Sequence, residues 1–275
     1  MGLLDGKKVI VTGAAQGVGY EIANRFIEEG ASVAILDLNG EGAFAAGDKL
    51  GALAYQVDVT DSEMMEQVIN KAVKDLGGLT TLVNNAGASV VSPLHKTSLD
   101  MFQQMLDINL KGVFHALRVV IPMFMEQEEG GSIVTIASGA GVKPISGQSA
   151  YAASKAAVIS LASSVALEYG SKIKSNSLSS SYIETPASQI LRDTMPEALE
   201  DVRDYTPMGR LGQPRDMADA SVFLASDLCS FITGQNIEVD GGIFLAQAGL
   251  EKMSAKVTAY IEGMSEEERA AVKKS

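Results

Sequence analysis

Between Lys8 and Ile27 the chain reads Lys8-Val9-Ile10-Val11-Thr12-Gly13, then glycines at Gly17 and Gly19, then apolar residues at Ile22, Ala23, Phe26 and Ile27. A short β-branched run closed by glycine reads as a strand and a turn, and the three-and-four spacing that follows reads as a helix. This order constrains the rest, because it recurs. Strands are predicted at Ser32–Leu36, Ala52–Val57, Leu79–Asn84, Ser132–Ala137, Lys172–Ser179 and Asn236–Val239. Helices are predicted between them, near Glu41–Leu50, Ser62–Leu76, Leu99–Glu128, Ser149–Tyr169 and Pro214–Ala225. Regular alternation demands right-handed crossovers, hence a mostly parallel sheet with helices on both faces and ligands outside the carboxyl ends of the strands.

The predicted fold class is therefore α/β, a Rossmann-type doubly wound parallel sheet of about seven strands. No Pro/Ser-rich linker, charge run or repeat divides the 275 residues, so one domain over 1–275 is expected. A net charge of −12 repels phosphate backbones and anionic lipid, which argues against nucleic-acid or membrane partners and for a small-molecule substrate. The single cysteine, Cys229, forms no internal disulfide, and no Cys/His cluster has metal-ligand spacing. A cytoplasmic location is expected, since Met1–Lys8 lacks a basic-then-apolar leader and no run of 18 uncharged apolar residues follows.

Gly13, Gly17 and Gly19 stand at the first strand-to-helix turn, where a side chain would hold a pyrophosphate away from the backbone amides and the positive helix end. Tight helix packing explains three glycines equally well. Asp37 tips the balance: it closes the second strand, 24 residues after Gly13, where a carboxylate accepts hydrogen bonds from an adenosine ribose and repels a 2′-phosphate. Neither Gln16 nor Leu38-Asn39 supplies a cation, so NAD(H) is expected over NADP(H).

Farther on, Tyr151 and Lys155 are four residues apart, which on a helix puts phenol and ammonium on one face. A fixed cation beside a tyrosine favours the phenolate. The spacing alone equally suits an ordinary surface lysine.

Taken jointly, Thr12-Gly13-Ala14-Ala15-Gln16-Gly17-Val18-Gly19, Asp58-Val59, Asn84-Asn85-Ala86-Gly87, Asn109, Ser138, Tyr151 with Lys155, and Asp240-Gly241-Gly242 resemble the short-chain dehydrogenase/reductase family. The resemblance runs from about Lys7 to Gly242. It implies that Gly13 and Gly19 lie against cofactor phosphates, with Gln16, Gly17, Val18 and Leu38 nearby. Asp58 and Val59 would meet the adenine, and Asn85, Ala86 and Gly87 would line the path to the nicotinamide ribose, with Ile183 and Thr185 also touching cofactor. Ser138 would hold the substrate oxygen and Tyr151 would move its proton. Lys155 would hold the ribose and lower the tyrosine pKa, and Asn109 would fix a water leading to Lys155. The activity implied is hydride transfer between NAD(H) and a secondary alcohol or ketone, in a homotetramer or, alternatively, a homodimer. No metal is implied.

The chain departs from the family at Ser180-Ser181, where Pro-Gly is usual, and at Ser175, where an apolar strand residue is usual. These changes leave open a second reading, a cofactor-binding sensor or scaffold with impaired chemistry. Residues 185–212 correspond to a substrate lid. Val90, Val91, Ile145, Tyr182, Met195 and Met208, with Ser138, are candidate substrate contacts, which suits a steroid-like or alicyclic compound, with 3-oxoacyl thioesters and polyols as alternative classes. His95 and His115 fit no catalytic pattern. In a C-terminal extension over 244–275, Leu250, Met253, Val257, Tyr260, Ile261 and Met264 form one helical stripe that packs on its own domain, on a partner subunit or over the substrate entrance.

Overall fold

Seven strands lie in one sheet: β1 (Lys8–Thr12), β2 (Ser32–Asp37), β3 (Leu53–Gln56), β4 (Thr81–Asn84), β5 (Gly131–Ile136), β6 (Ile173–Ser180) and β7 (Asn236–Val239). The computed structural model describes residues 2–245. Their order is β3-β2-β1-β4-β5-β6-β7, and every neighbouring pair is parallel. After β3 the chain returns to the far side of β1, so the order reverses between β1 and β4. A crevice opens at that reversal.

Side chains alternate across each strand and supply two cores. Val9, Val11, Val33 and Ile35 face Ile22 and Phe26 of α1 (Gly17–Glu28) and Met217 and Val222 of α9 (Pro214–Ala225). Ile10, Ala34 and Leu36 face Met65 and Ile69 of α3 (Ser62–Leu76), together with residues from two later helices. Burial on both faces explains why the strands read as unbroken apolar runs. Phe26 in one layer and Phe124 in the other are fully buried, and truncating either to alanine would cost about 3–5 kcal/mol. The remaining helices are α2 (Gly40–Leu50), α6 (Ser149–Tyr169), α7 (Gln189–Thr194) and α8 (Pro196–Tyr205).

One expected helix is in fact interrupted. The stretch predicted as continuous over Leu99–Glu128 divides into α4 (Leu99–Leu106), a π-helical turn at Asp107–Lys111, and α5 (Gly112–Glu126). The widened turn re-aims the helix surface and buries Asn109 completely. Gly112 follows because a methyl there would stand 2.8 Å from Val59 Cγ2. By length and composition Leu99–Glu126 and Ser149–Tyr169 are apolar enough to cross a membrane, yet both contribute to the second core through Val113, Leu117, Val120, Phe124, Val158 and Val165.

Strand β6 is unusually polar for a buried strand, and the hydroxyls of its buried serines Ser175, Ser177 and Ser179 are paired. Ser175 Oγ donates to the Ala162 carbonyl (2.9 Å), while Ser177 and Ser179 both donate to Asn236 Oδ1 (2.9 and 2.8 Å). Asn176 spans the backbone of the β7 approach, donating to Ile232 O and accepting from Gln235 N, both at 3.0 Å. The serines therefore fasten β6 to α6 and β7 instead of standing unsatisfied in the core.

Candidate active site

The crevice beside the β1–β4 reversal has a volume of about 810 Å³. Its floor is the glycine turn. Gly13 has a left-handed φ of 65°, and a methyl on Gly19 would overlap the Gly13 carbonyl and the Asn85 amide. Helix α1 starts with Gln16 at its cap making no side-chain cap bond and with no acidic residue in its first turn, so its positive end is uncovered. That end faces the crevice through Gly17, Val18 and Gly19. Opposite Gly17 stands Thr185, whose Cγ2 would lie 3.7 Å from a methyl built on Gly17.

Asp37 is fixed by the backbone it borders. Its Oδ2 accepts from Ala15 N (2.9 Å) and its Oδ1 from Asn39 N (2.9 Å), which ties the end of β2 to the glycine turn. Asp58 Oδ1 likewise accepts from Thr60 N and Thr60 Oγ1 (2.9 and 2.8 Å), holding the Asp58-Val59 wall in a tight turn. Asn85 Nδ2 donates to the Thr12 and Gly13 carbonyls (3.0 and 2.8 Å), while Thr12 Oγ1 accepts from Asn85 N and Ala86 N (3.0 and 3.1 Å). The carboxyl ends of β1 and β4 are thereby laced together. A dinucleotide fits these residues: a helix end is uncapped, the space beside Gly17 is open, and a carboxylate is anchored at the end of β2, while Gly13 and Gly19 are required by the close packing of the protein itself.

The crevice gathers Gly13, Gln16, Gly17, Val18, Gly19, Asp37, Leu38, Asp58, Val59, Asn85, Ala86, Gly87 and Thr185 from the sequence-derived set. Ile183 is buried instead in a bridge to Gly212, and Tyr151 and Lys155 lie outside this cavity's lining. Sequence reasoning missed a whole wall. Asp100, Gln103, Gln104 and Asp107 border the crevice from α4 and the π turn. Their spacing of three, four and seven is a polar stripe, which was a readable signal.

On the other side, α6 carries Tyr151 and Lys155, and Ser138 follows β5. Ser138 Oγ accepts from Ala140 N (3.2 Å), capping the short turn Gly139–Gly141, and it stands beside the Tyr151 phenol. Capping thus orients the serine. Gly141 lets that turn press on α6, since a methyl there would stand 2.7 Å from the Lys155 carbonyl carbon. The Lys155 ammonium is buried, donates to Ile136 O (2.8 Å) and lies 5.9 Å from the centre of the Tyr151 ring. Burial pushes its pKa down to about 8. Burial also holds the Tyr151 phenol above its ordinary value, with Ser138 working the other way. The expectation of a lowered tyrosine pKa is therefore reversed: in the protein alone, desolvation outweighs the influence of Ser138, and Tyr151 is a neutral phenol at neutral pH.

Asn109 ties these parts together. Its Oδ1 accepts from Ala88 N (2.9 Å), and its Nδ2 donates to Ala88 O (2.9 Å) and Ser154 Oγ (3.0 Å), whose hydroxyl donates to the Tyr151 carbonyl (2.7 Å). One buried amide thus joins the β4 loop to the helix turn bearing Tyr151. Among the substrate-side candidates, Val90 is half-buried and Val91 and Ile145 are exposed. The Tyr182 hydroxyl hydrogen-bonds Ser188 O (3.4 Å), and Met195 is exposed. Met208 borders a different cleft, with Arg210, Asp216 and Gly241. The extension's stripe, Leu250 to Met264, lies outside the described residues. Among the described residues no His/Cys/Asp/Glu group has the makings of a metal site.

A doubly wound parallel sheet with a crevice at its reversal, and a half-buried serine and tyrosine beside a buried lysine, defines an α/β protein with a reactive site at the carboxyl ends of its strands. A family model described as enoyl-(acyl carrier protein) reductase matches residues 13–244. The chain belongs to the short-chain dehydrogenase/reductase family and is an oxidoreductase. It is 36% identical over 248 residues to 3-oxoacyl-acyl-carrier-protein reductase FabG of Thermotoga maritima, covering 88% of this chain and 99% of that protein. It is 37% identical to the 2,5-dichloro-2,5-cyclohexadiene-1,4-diol dehydrogenase LinX of Sphingobium indicum, covering 87% and 96%. It is also 37% identical to 3beta-hydroxysteroid dehydrogenase 1 of Eggerthella lenta, covering 88% and 95%. The crystal structure of gox2181 matches with a TM-score of 0.84 at 32% identity, over 88% of this chain and 97% of that one.

Proposed function

We propose that the protein interconverts a secondary alcohol and a ketone with NAD(H), and that the substrate is an alicyclic or steroid-like compound. The observation that carries this reading is the placement of Ser138 and Tyr151 beside the buried Lys155, whose ammonium lies 5.9 Å from the centre of the Tyr151 ring. Bound NAD(H) supplies or accepts the hydride. Glycine-turn amides receive its phosphates and Asp37 its adenosine ribose, with Asp58 and Val59 at the adenine. Ser138 and Tyr151 hold the substrate oxygen from two sides. The neutral Tyr151 phenol donates its proton to that oxygen as a carbonyl becomes an alcohol and is left as the phenolate; in the reverse direction it is the phenolate that takes the alcohol proton. Lys155, protonated below pH about 8, offsets the negative charge that develops on the phenol oxygen when the proton leaves.

NAD(H) is preferred because the crevice presents Asp37, Asp58, Asp100 and Asp107 and, among its lining residues, no lysine or arginine to receive a 2′-phosphate. The alicyclic preference draws on the names of two relatives, a cyclohexadiene-diol dehydrogenase and a hydroxysteroid dehydrogenase. A 3-oxoacyl thioester is the second reading, favoured by the FabG relative. We also propose a homotetramer. A spectrophotometric screen of sterols, alicyclic alcohols, polyols and hydroxyacyl thioesters with NAD and NADP tests both readings. Turnover of alicyclic alcohols with NAD is expected; fastest turnover of a hydroxyacyl thioester moves the assignment to the second reading, and NADH binding without turnover of any class overturns both.

A further inference from the structure

We propose that Phe244 is a wall of the substrate pocket that sorts substrates by the bulk they carry beside the reacting oxygen; this rests on the alcohol/ketone reading above. Gly139 follows Ser138 directly. A methyl built on Gly139 would overlap the Phe244 ring, and the three nearest atoms are all ring carbons: Cε2, Cζ and Cδ2. The ring thus occupies the place where residue 139 would have carried its own side chain, one residue from Ser138. The segment is held at both ends. The nearly buried Asp240 carboxylate accepts from Gly242 N (2.9 Å) and Phe244 N (3.0 Å), which fixes where the ring leaves the backbone. Lys143 Nζ donates to the Phe244 carbonyl, and Lys143 N bonds Gly139 O (2.8 Å), so one turn grips the ring through Gly139 and the backbone through Lys143.

The chemistry follows from the placement. With the substrate oxygen held by Ser138 and Tyr151, its two carbon substituents diverge, and the one pointing toward Gly139 meets an aromatic face. A flat or small substituent packs there, and a bulky one is refused. The wall therefore sets size selectivity and also which face of an unsymmetrical ketone is presented.

The test uses the full chain with NADH and three ketones: cyclohexanone, 1-decalone and acetophenone. For Phe244→Ala, the kcat/KM ratio of 1-decalone over cyclohexanone is expected to rise about tenfold or more, and the enantiomeric ratio of the alcohol from acetophenone to fall. Phe244→Leu is expected to lie between, and NADH affinity to stay within about twofold, since Phe244 is not among the residues lining the nucleotide crevice. A size ratio and an enantiomeric ratio both unchanged in Phe244→Ala, with wild type turning over, overturn the proposal alone. Absence of wild-type turnover strikes the underlying reading instead, and a second measurement then decides. The chain has no tryptophan, so Phe244→Trp in a Tyr151→Phe background is a lone reporter. A shift of its emission when 1-decalone joins the NADH complex supports the wall; no shift at saturating ketone overturns it.

Discussion

The nucleotide half and the substrate half of this site are built by different means. Around the crevice, every fixed point is a backbone-to-side-chain bond at a strand end: Asp37 to Ala15 N, Asp58 to Thr60 N, Asn85 to the Thr12 and Gly13 carbonyls. Past β5, the site depends on helices and turns meeting: Asn109 with Ser154, the Gly139–Gly141 turn with α6, Phe244 with Gly139. A strand end dictates which residue types it tolerates, whereas a meeting of turns and helices does so less strictly. The first half recognises a common shape, and the second is where one member of a family can differ from another.

The comparison breaks most sharply at Tyr151. Tyr151→Phe removes a proton and nothing from the nucleotide crevice, so turnover should fall about 10²–10⁴-fold with NADH affinity unchanged. Steady-state rates set against fluorescence titration with NADH check this; a comparable loss of NADH binding would show that the halves are not separable.

Lys155 offers the next largest effect and a test of burial itself. Its folded pKa of about 8 lies below the ordinary 10.5, so folding disfavours its charged form. The cost is fully present below pH 8 and is relieved as pH rises from 8 to 10.5. Lys155→Met should therefore raise the unfolding free energy of the cofactor-free protein by up to about 3 kcal/mol at pH 7, less about 1 for the lost Ile136 hydrogen bond. The gain should disappear by pH 10.5. Denaturant titrations at pH 7 and 10 measure it, and a gain that persists at pH 10 would mean the ammonium is not desolvated in solution. Turnover should fall in the same variant, which makes Lys155 a residue kept for chemistry against stability.

Asp37→Ala sharpens the nucleotide side. The carboxylate would accept from the ribose while holding Ala15 N, and hydrogen bonds to a charged group contribute about 1.5–3 kcal/mol, so NAD affinity should drop about 10- to 100-fold. The loss for NADP should be smaller, because a repulsion goes with the bond. Titrations with both dinucleotides decide it, and an unchanged preference would move the discrimination to Asp100 and Asp107.

The same division explains what was legible in the sequence. The alternation of strands and helices predicted the doubly wound parallel sheet, because the central strands β1, β2, β4 and β5 bury both faces and so read as apolar runs. The helix boundaries Ser62–Leu76 and Ser149–Tyr169 were legible in the sequence, the first from its periodicity and the second from an alanine-rich run free of proline and glycine. The π turn at Asp107–Lys111 was not, because an inserted residue leaves hydrophobic spacing nearly intact and shows only as a buried asparagine. The direction of the Tyr151 shift was also misjudged, since spacing reports a neighbouring charge but not the depth of burial. Phe244 was invisible for a third reason: its partner Gly139 is more than a hundred residues away.

The smallest effect concerns the feature that looked most disruptive, Ser180-Ser181 in place of Pro-Gly. No described non-glycine residue has a left-handed φ, so the turn at Ser181 is made in a conformation any residue adopts. Its hydroxyl makes only a 3.4 Å contact with the Asp240 carbonyl. Glycine there would relieve no strain and would enlarge the freedom of the unfolded chain. Ser181→Gly should thus cost about 0.5–1 kcal/mol of stability while shifting NADH affinity less than about twofold. Denaturant midpoints and NADH titration read the two quantities separately. A stabilised variant, or one with tighter NADH binding, would mean that Ser181 holds the nicotinamide end of the site in a conformation that glycine improves, and would carry the division between the halves one strand further along the sheet.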